Sequence, residues 1–560
     1  MNRRLSLVFI IFLVLFAVIY SRLFFWQVIS AESLKGFAQS QTGRSRVVKA
    51  KRGSIFSSDE SPLVINQPSF LIYAQPHLVK DKLKLTNTLS EILEIDEASI
   101  SAKLEDSVEL KWVSLAEKIE AGKAGEIKEK NLAGIGLSQD FKRYYPESSM
   151  AAHLLGFVGK NHNGQDQGYF GLEGYYDEQL KGRTGLINEE KDALGNPILA
   201  GLREIIAPND GNNLYLTVDK TVQFIVEEKL KKGMEKYGAA EGTVVVMNPQ
   251  TGALRAMASY PSYDLISREN FNTRLYKNPA VSSSFEPGST FKVLIMAAAI
   301  NENSVSPNDE YDESGPLELG AYTIKTWDQK YHGLIKIPQI LQYSSNVGMV
   351  YISEKLGNDK MFSYLDNLGM GRLTGIDLQD ESSPDLRSKD SWKKIDFATA
   401  SFGQGIAVTP LQMIRMVSAI ANGGKLVKPY IVDRIIDFSG RTISNKPQIV
   451  KKIFKKETAS IVTEMMVNAV EKGETKFLKP VGIRIAGKTG TAQIPIAGHY
   501  DTQKTIASFV GFFPADDPKL IMLVTLREPT SSPWGSETAA PLFFDISKEL
   551  IKYYNLPLSN

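Results

Sequence analysis

The sequence predicts an α+β fold, and three features of its 560 residues carry the prediction. Runs with strand character stand at both ends of the region 210–560 while helical runs fill its middle, so one sheet has to be assembled from distant segments. The last strand-like runs are joined by loops too short for a crossover helix, which makes them antiparallel neighbours. A long apolar run opens the chain, yet the mean hydropathy of −0.16 is too low for a polytopic membrane protein.

Composition narrows the chemistry. A hydrophobic share of 43% with 23% charged residues excludes wholesale disorder and fibrous repeats. Lys and Arg total 65 against 63 Asp and Glu, so no bulk basic field points to a nucleic-acid partner. Cysteine is absent, which removes thiolate nucleophiles, disulfides and Cys-based metal sites together. The five His have no metal-ligand spacing, so neither a metal nor another cofactor is expected.

Residues 1–30 read as a cytoplasmic tail and membrane anchor. Leu5–Ser21 is an uncharged, almost wholly apolar run, extended past Arg22 by Leu23, Phe24, Phe25 and Trp26. The run exceeds the ~7–15 apolar residues of a cleaved signal and leaves through aromatic residues, so a spanning helix is the better reading. Arg3 and Arg4 favour a cytoplasmic N-terminus, which puts the rest outside the cell membrane.

Residues 31–209 mix short apolar runs (Leu63-Val64-Ile65, Phe70–Tyr73) with Lys/Glu-rich stretches of helical character at 81–94 and 115–131. The turn residues Ala207-Pro208-Asn209-Asp210-Gly211 mark a boundary near 210. Beyond it Leu214, Leu216 and Val218 alternate as a strand, and Val222, Val226, Leu230 and Met234 share a helical face. Thr243–Met247 and Ala253–Met257 flank a Pro/Gly turn as a hairpin. Ile483–Ile485, Ala507–Phe513 and Leu520–Leu526 read as three further strands, followed by a closing helix with Phe543, Ile546 and Leu550 on one face.

With no Cys, a nucleophile has to come from another side chain. In Pro287-Gly288-Ser289-Thr290-Phe291-Lys292 a turn leads into an apolar helical run, so Ser289 stands at a helix start with its N–H free. Lys292 lies one turn on, beside the apolar stripe, where burial lowers an amine's pKa and lets it take a hydroxyl proton. Ser-x-x-Lys alone is weak, because Ser is a common helix cap and a second copy, Ser391-Trp392-Lys393-Lys394, sits in a charged stretch. Two further pieces change the weighting. Ser344-Ser345-Asn346 falls in a loop between the helical runs 337–341 and 347–356, where a hydroxyl can relay a proton and an amide can grip a peptide carbonyl; its copy Ser306-Pro307-Asn308 lacks the apolar flanks. Lys488-Thr489-Gly490-Thr491 follows a strand-like run; on an edge strand Gly490 admits substrate backbone, while Lys488, Thr489 and Thr491 offer a charge and hydroxyls to a carboxylate.

These three motifs, in this order, make the chain resemble a class B penicillin-binding protein, a monofunctional peptidoglycan D,D-transpeptidase. The resemblance extends over Arg52-Gly53-Ser54-Ile55, Arg143-Tyr144-Tyr145-Pro146, His153–Phe157, Gly171-Leu172-Glu173, Gly403-Gln404-Gly405 and Phe512-Phe513-Pro514. It implies a β-lactamase/transpeptidase-like domain over 210–560, an elongated pedestal resembling a dimerisation domain over 31–209, and a division type rather than an elongation type. By resemblance Ser289 is the nucleophile, Lys292 the acylation base, Ser344 the proton shuttle and Lys488 the group that tunes the local field. Asn346 orients the substrate amide, Thr489 and Thr491 hold its carboxylate beside Gly490, and the N–H groups of Ser289 and Thr491 form the oxyanion hole. The implied partners are peptidoglycan stem peptides, β-lactams as covalent inhibitors, a SEDS-family glycan polymerase and division proteins in the membrane. The chain departs from the family at Phe56-Ser57-Ser58-Asp59-Glu60 and at Asn278-Pro279-Ala280, outside the catalytic set. The alternatives are an elongation-type transpeptidase, a D,D-carboxypeptidase or β-lactamase-like hydrolase, and a non-catalytic β-lactam sensor or scaffold.

Overall fold

The apolar run at the start of the chain forms helix α1 (Arg3–Phe24), continued by Phe25–Ile29. In the computed structural model, which describes residues 3–34, 37, 43–105, 110, 112–190, 203–267, 273–496 and 499–557, none of the α1 side chains is buried. Among the described residues Arg3–Ile29 is the one helix long and apolar enough to cross a membrane.

The chain packs as two units. The first takes Met1–Arg52, Pro68–Phe141 and Lys181–Gly211; the second takes Gly53–Gln67, Lys142–Leu180 and Asn212–Asn560. The boundary read along the sequence near 210 is thus crossed by packing, since Gly53–Gln67 and Lys142–Leu180 pack with residues that follow 212. For Gly53–Gln67 the reason is strand pairing, since Ile55-Phe56 lies parallel to Leu214-Tyr215 and antiparallel to the start of strand Pro62–Ala74; for Lys142–Leu180 it is side-chain bonding, with the Tyr263 hydroxyl donating to Ala152 O at 2.8 Å and the Tyr176 hydroxyl to Asp377 Oδ2 at 2.9 Å.

In the first unit, helix Lys82–Leu93 begins at Asp81, whose carboxylate accepts the Lys84 N–H at 3.0 Å, and it buries Leu85, Leu89, Ile92 and Leu93. The stretch 115–131 is not one helix, as its Lys/Glu content suggests, but strand Val113–Ile119 followed by helix Ala121–Glu129. Pairing of Ile72 with Ala116 and Phe70 with Ile119 overrides helix propensity there, and Leu115 is buried against Leu89 and Ile127.

The second unit is built on a five-stranded antiparallel sheet. Its elements, in chain order, are α2 (Lys220–Tyr237), β1 (Glu241–Met247), β2 (Leu254–Tyr260), α3 (Lys292–Asn301), β3 (Glu310–Glu313), β4 (Gly333–Lys336), α4 (Ile337–Gln342), α5 (Asn346–Leu356), α6 (Pro410–Ala421), α7 (Lys456–Lys472), β5 (Ala486–Ile496), β6 (His499–Phe513), β7 (Leu520–Arg527) and α8 (Ala539–Tyr553). The large sheet runs β2-β1-β7-β6-β5, which leaves β5 at an edge. Period-2 alternation sends Val244 and Val246 to the face covered by α2 and α8, and Val245 and Met247 to the opposite core with α3 and α6. Ile483–Ile485 precede β5 rather than forming it; the strand starts at Ala486 and carries Lys488–Thr491 within it. Helix α3 is apolar all round because it is buried all round: Val293 through Ala299 are fully inaccessible.

Candidate active site

Ser289 sits in a single 3₁₀ turn, Gly288–Thr290, that feeds α3. Backbone approaches on two sides fix this turn. Gly288 adopts φ +54°, where a Cβ would stand 2.9 Å from Thr491 O on β5. Gly403 adopts φ +81°, and its Cβ would meet Gly288 O at 2.1 Å; the Gly288 N–H donates to Gly403 O at 3.0 Å. The turn is therefore pinned between β5 and the Gly403-Gln404-Gly405 loop, which only glycine allows at these separations. Glu286, just ahead of the turn, accepts from the Gly405 N–H and the Tyr500 hydroxyl, each at 3.2 Å.

The first residue of α3, Lys292, is fully buried and points at the loop between α4 and α5. Its Nζ donates to Ser344 O at 2.6 Å and Asn346 Oδ1 at 2.8 Å, with Ser344 Oγ farther off at 3.4 Å. A neutral amine has two N–H donors and one lone pair, so these two bonds use both donors and leave the lone pair for a proton. Burial holds the Lys292 pKa well below the ordinary lysine value, and the charge of Lys488 lowers it further; Glu474 and Glu313 oppose both. Ser344 holds φ +56°, and Ser345 caps α5 by accepting the Gly348 N–H at 2.9 Å. The Asn346 amide donates to Lys325 O at 3.0 Å, which orients its oxygen to Lys292. Among the described residues Ser289 Oγ makes no hydrogen bond, to Lys292 Nζ or to any other group.

On β5, Lys488 is buried, and its Nζ donates to Thr489 Oγ1 at 3.0 Å and Thr489 O at 3.2 Å, not to Ser344. Burial lowers its pKa, opposed by Glu474. Gly490 packs so closely that a Cβ would lie 2.4 Å from Ser508 Oγ and 2.8 Å from Thr290 Cγ2. The predicted residues thus divide between two walls: Ser344 and Asn346 on the α4–α5 side, Lys488–Thr491 on β5, with Ser289 and Lys292 between them. The copies Ser391–Lys394 and Ser306–Asn308 lie in the surface, with Lys394 and Ser306 exposed.

Sequence reasoning missed several residues at these walls. The Glu474 carboxylate accepts from Thr489 Oγ1 at 3.3 Å, but Glu471–Lys476 reads as an ordinary solvated charged stretch. The Gly535 N–H donates to Thr491 Oγ1 at 2.9 Å, and its Cβ would collide with Gly490 O at 2.2 Å. Next to it Trp534 meets Trp327 edge to face at 5.1 Å, and Trp327 is close in sequence to Lys325, which holds Asn346. Two aromatic residues in unrelated loops carry no sequence signal for such a meeting.

A serine hydroxyl at a helix start, a buried amine with both donors engaged, and a β-strand edge lined by hydroxyls suit acyl transfer to serine. The family model of the penicillin binding protein transpeptidase domain matches residues 242–548, and that of the penicillin-binding protein dimerisation domain matches residues 47–216. The chain belongs to the penicillin-binding protein transpeptidases. This transpeptidase is 33% identical over 554 residues to stage V sporulation protein D of Bacillus subtilis, spanning 98% of this chain and 85% of that one. It is 30% identical to the peptidoglycan D,D-transpeptidase FtsI homolog of Mesostigma viride, spanning 99% and 96%. Among solved structures, penicillin binding protein 2X of Streptococcus thermophilus superposes with a TM-score of 0.75 at 27% identity, covering 91% of this transpeptidase and 80% of that protein. A dimerisation domain ahead of the catalytic one makes this a class B penicillin-binding protein.

Proposed function

We propose that the protein cross-links peptidoglycan stem peptides through an acyl-enzyme on Ser289, as the division-type transpeptidase of its cell. The observation that carries this reading is the Lys292 amine, buried, with both N–H donors engaged by Ser344 O and Asn346 Oδ1 and its lone pair left over. Lys292 takes the Ser289 proton as Oγ attacks the penultimate D-Ala carbonyl. The Ser289 and Thr491 N–H groups hold the oxyanion, a kind of donor worth about 10²–10³ in rate. Ser344 passes a proton to the leaving amine as the C–N bond breaks and terminal D-Ala departs. An amine of a second stem then attacks the ester, gives up its proton along the same route, and regenerates Ser289. Asn346 orients the donor amide, Thr489 and Thr491 hold its carboxylate beside Gly490, and Lys488 tunes the field.

The division role is supported by the relatives named FtsI, and the anchor reading by α1 together with Arg3 and Arg4, which favour a cytoplasmic N-terminus and an outer catalytic domain. The segment matched as a dimerisation domain serves as the pedestal, and with the anchor it contacts a SEDS-family polymerase in the membrane. Fluorescent penicillin is expected to label the purified protein covalently, with Ser289→Ala abolishing the label; label surviving in Ser289→Ala sinks the assignment of the nucleophile. Stem-peptide donor with an amine acceptor is expected to give cross-linked dimer. Release of D-Ala without dimer would instead identify a carboxypeptidase.

A further inference from the structure

A titratable pair that the acyl-transfer steps do not use packs behind Ser344. Glu313 ends β3, opposite Gly333 of β4, and is fully buried. Its Oε2 accepts the backbone N–H of His332 at 3.2 Å and lies 2.6 Å from His332 Nδ1; its Oε1 is buried without a partner. The His332 ring lies flat on Tyr343, 4.0 Å between centroids and 7° between planes. Tyr343 caps the C-terminal end of α4, and its hydroxyl is 3.2 Å from Gln339 Nε2. The next residue is Ser344, in the left-handed conformation, with its carbonyl on Lys292 Nζ. A chain of contacts therefore runs from Glu313 through His332 and Tyr343 to the residue that grips Lys292.

A carboxylate with an unpaired buried oxygen costs free energy, as does a left-handed serine. We propose that Glu313 and His332 are positioning residues for the acyl-transfer site: the pair clamps Tyr343 and thereby holds Ser344 in the conformation that presents its carbonyl and hydroxyl to Lys292. This rests on the reading of Ser289 and Lys292 given above. The Glu313 charge has a second effect, because with Glu474 it counters the desolvation of the Lys292 ammonium, while Lys488 acts against it. Facing Glu313 are His332 and Tyr311; the Tyr311 ring stacks on Tyr351 of α5 at 4.7 Å, and its hydroxyl is pushed up to about 12 by burial, then by Glu313, Asp312 and Glu354.

The test is the rate of fluorescent-penicillin acylation as a function of pH, on the full chain, with thermal unfolding of each variant alongside. Glu313→Gln, close in shape, is expected to move the acidic limb of the profile to lower pH, since loss of a negative charge favours the neutral Lys292 amine. His332→Ala is expected to lower the plateau about 10- to 100-fold by releasing Tyr343, a displacement of the order that costs such factors. His332→Phe keeps a flat face for Tyr343 and is expected to recover most of that loss. An unmoved acidic limb in a folded Glu313→Gln variant overturns the field effect, and a wild-type plateau in His332→Ala overturns the clamp. If His332→Ala is slow but His332→Phe is no faster, stacking is not what holds Ser344. Wild-type protein that fails to label at Ser289 is a different result, one that overturns the acyl-transfer reading itself.

Discussion

As the proposed base, Lys292 has to be neutral to act, and its burial favours that form. The acidic limb of acylation is expected below the ordinary lysine value near 10.5, because the folded amine releases its proton earlier than a solvated one. Lys292→Met should lower the acylation rate about 10²–10⁴-fold, the usual worth of a general base. The same shift has a stability consequence. In the unfolded chain Lys292 keeps its proton up to about 10.5, whereas the folded chain has already released it, so between the two values the unfolded state binds more protons. Stability therefore rises with pH across that window. Denaturation of wild type and Lys292→Met at several pH values should show wild type gaining on the variant as pH rises toward 10.5; a constant gap would mean that Lys292 titrates alike in both states. The meeting of Lys292 with Ser344 and Asn346 was legible because each motif stood in a recognisable local context. What was not legible is direction: Lys488 turns to Thr489, and Lys292 bonds Ser344 through its carbonyl more closely than its hydroxyl. Side-chain direction within a motif depends on neighbours that sequence spacing does not name.

At the scale of elements, close backbone approach and buried pairing position the site. Gly403→Ala would put a Cβ 2.1 Å from Gly288 O at φ +81°, so the Ser289 turn has to shift. A displacement near 1 Å at a reacting atom costs about 10²-fold, which is the expected fall in penicillin acylation. Gly423→Ala is the control: at φ +59° its nearest atom is Lys456 Cγ at 3.7 Å, so it should cost about 1–2 kcal/mol of stability and leave acylation unchanged. Equal acylation losses in both would show general destabilisation instead. Two of the quoted sequence motifs also turn out to be halves of one contact. Arg143 reaches Glu173 with Nε at 2.9 Å and Nη2 at 2.5 Å, and Asn66 with Nη1 at 3.1 Å, while the Glu173 side chain is fully buried. Arg143→Ala removes both of these bonds from a fully buried carboxylate and should destabilise the second unit by about 3–5 kcal/mol, read by chemical denaturation. An effect below 1 kcal/mol would place the pair among ordinary surface ion pairs. The large sheet was legible from the short apolar runs 243–247 and 520–526 next to turn residues, runs that are nearly continuous because helices bury both faces. Strand Val113–Ile119 was not, because Glu117 and Lys118 mimic a helical surface and only its partner Pro62–Ala74 makes it extended.

For the whole molecule, linear order and packing diverge. Gly53–Gln67 joins the unit that holds Ser289 and Lys292 through pairing of Ile55 and Phe56 with Leu214 and Tyr215, and Lys142–Leu180 joins it through bonds such as Tyr176 Oη to Asp377 Oδ2 at 2.9 Å, none of which a local pattern announces. The apolar helix at the start of the chain is the opposite case, legible from its composition alone, and a helix read as an anchor needs no partner in its own chain. Its large apolar side chains stay exposed, Leu7 at 63%, Phe9 at 67% and Phe16 at 68%, in a run of apolar surface that water does not tolerate and a bilayer does. Deleting residues 1–30 should therefore move the protein from the membrane to the soluble fraction while leaving penicillin labelling of Ser289 at its full rate, because no residue of the site belongs to α1. Recovery of the wild-type protein in the soluble fraction with an N-terminus beginning after the apolar run would show a cleaved signal instead of an anchor. Retention of the deletion variant on membranes washed with high salt would point to a second membrane-binding surface, since screening at ~1 M salt leaves only apolar contact to hold it.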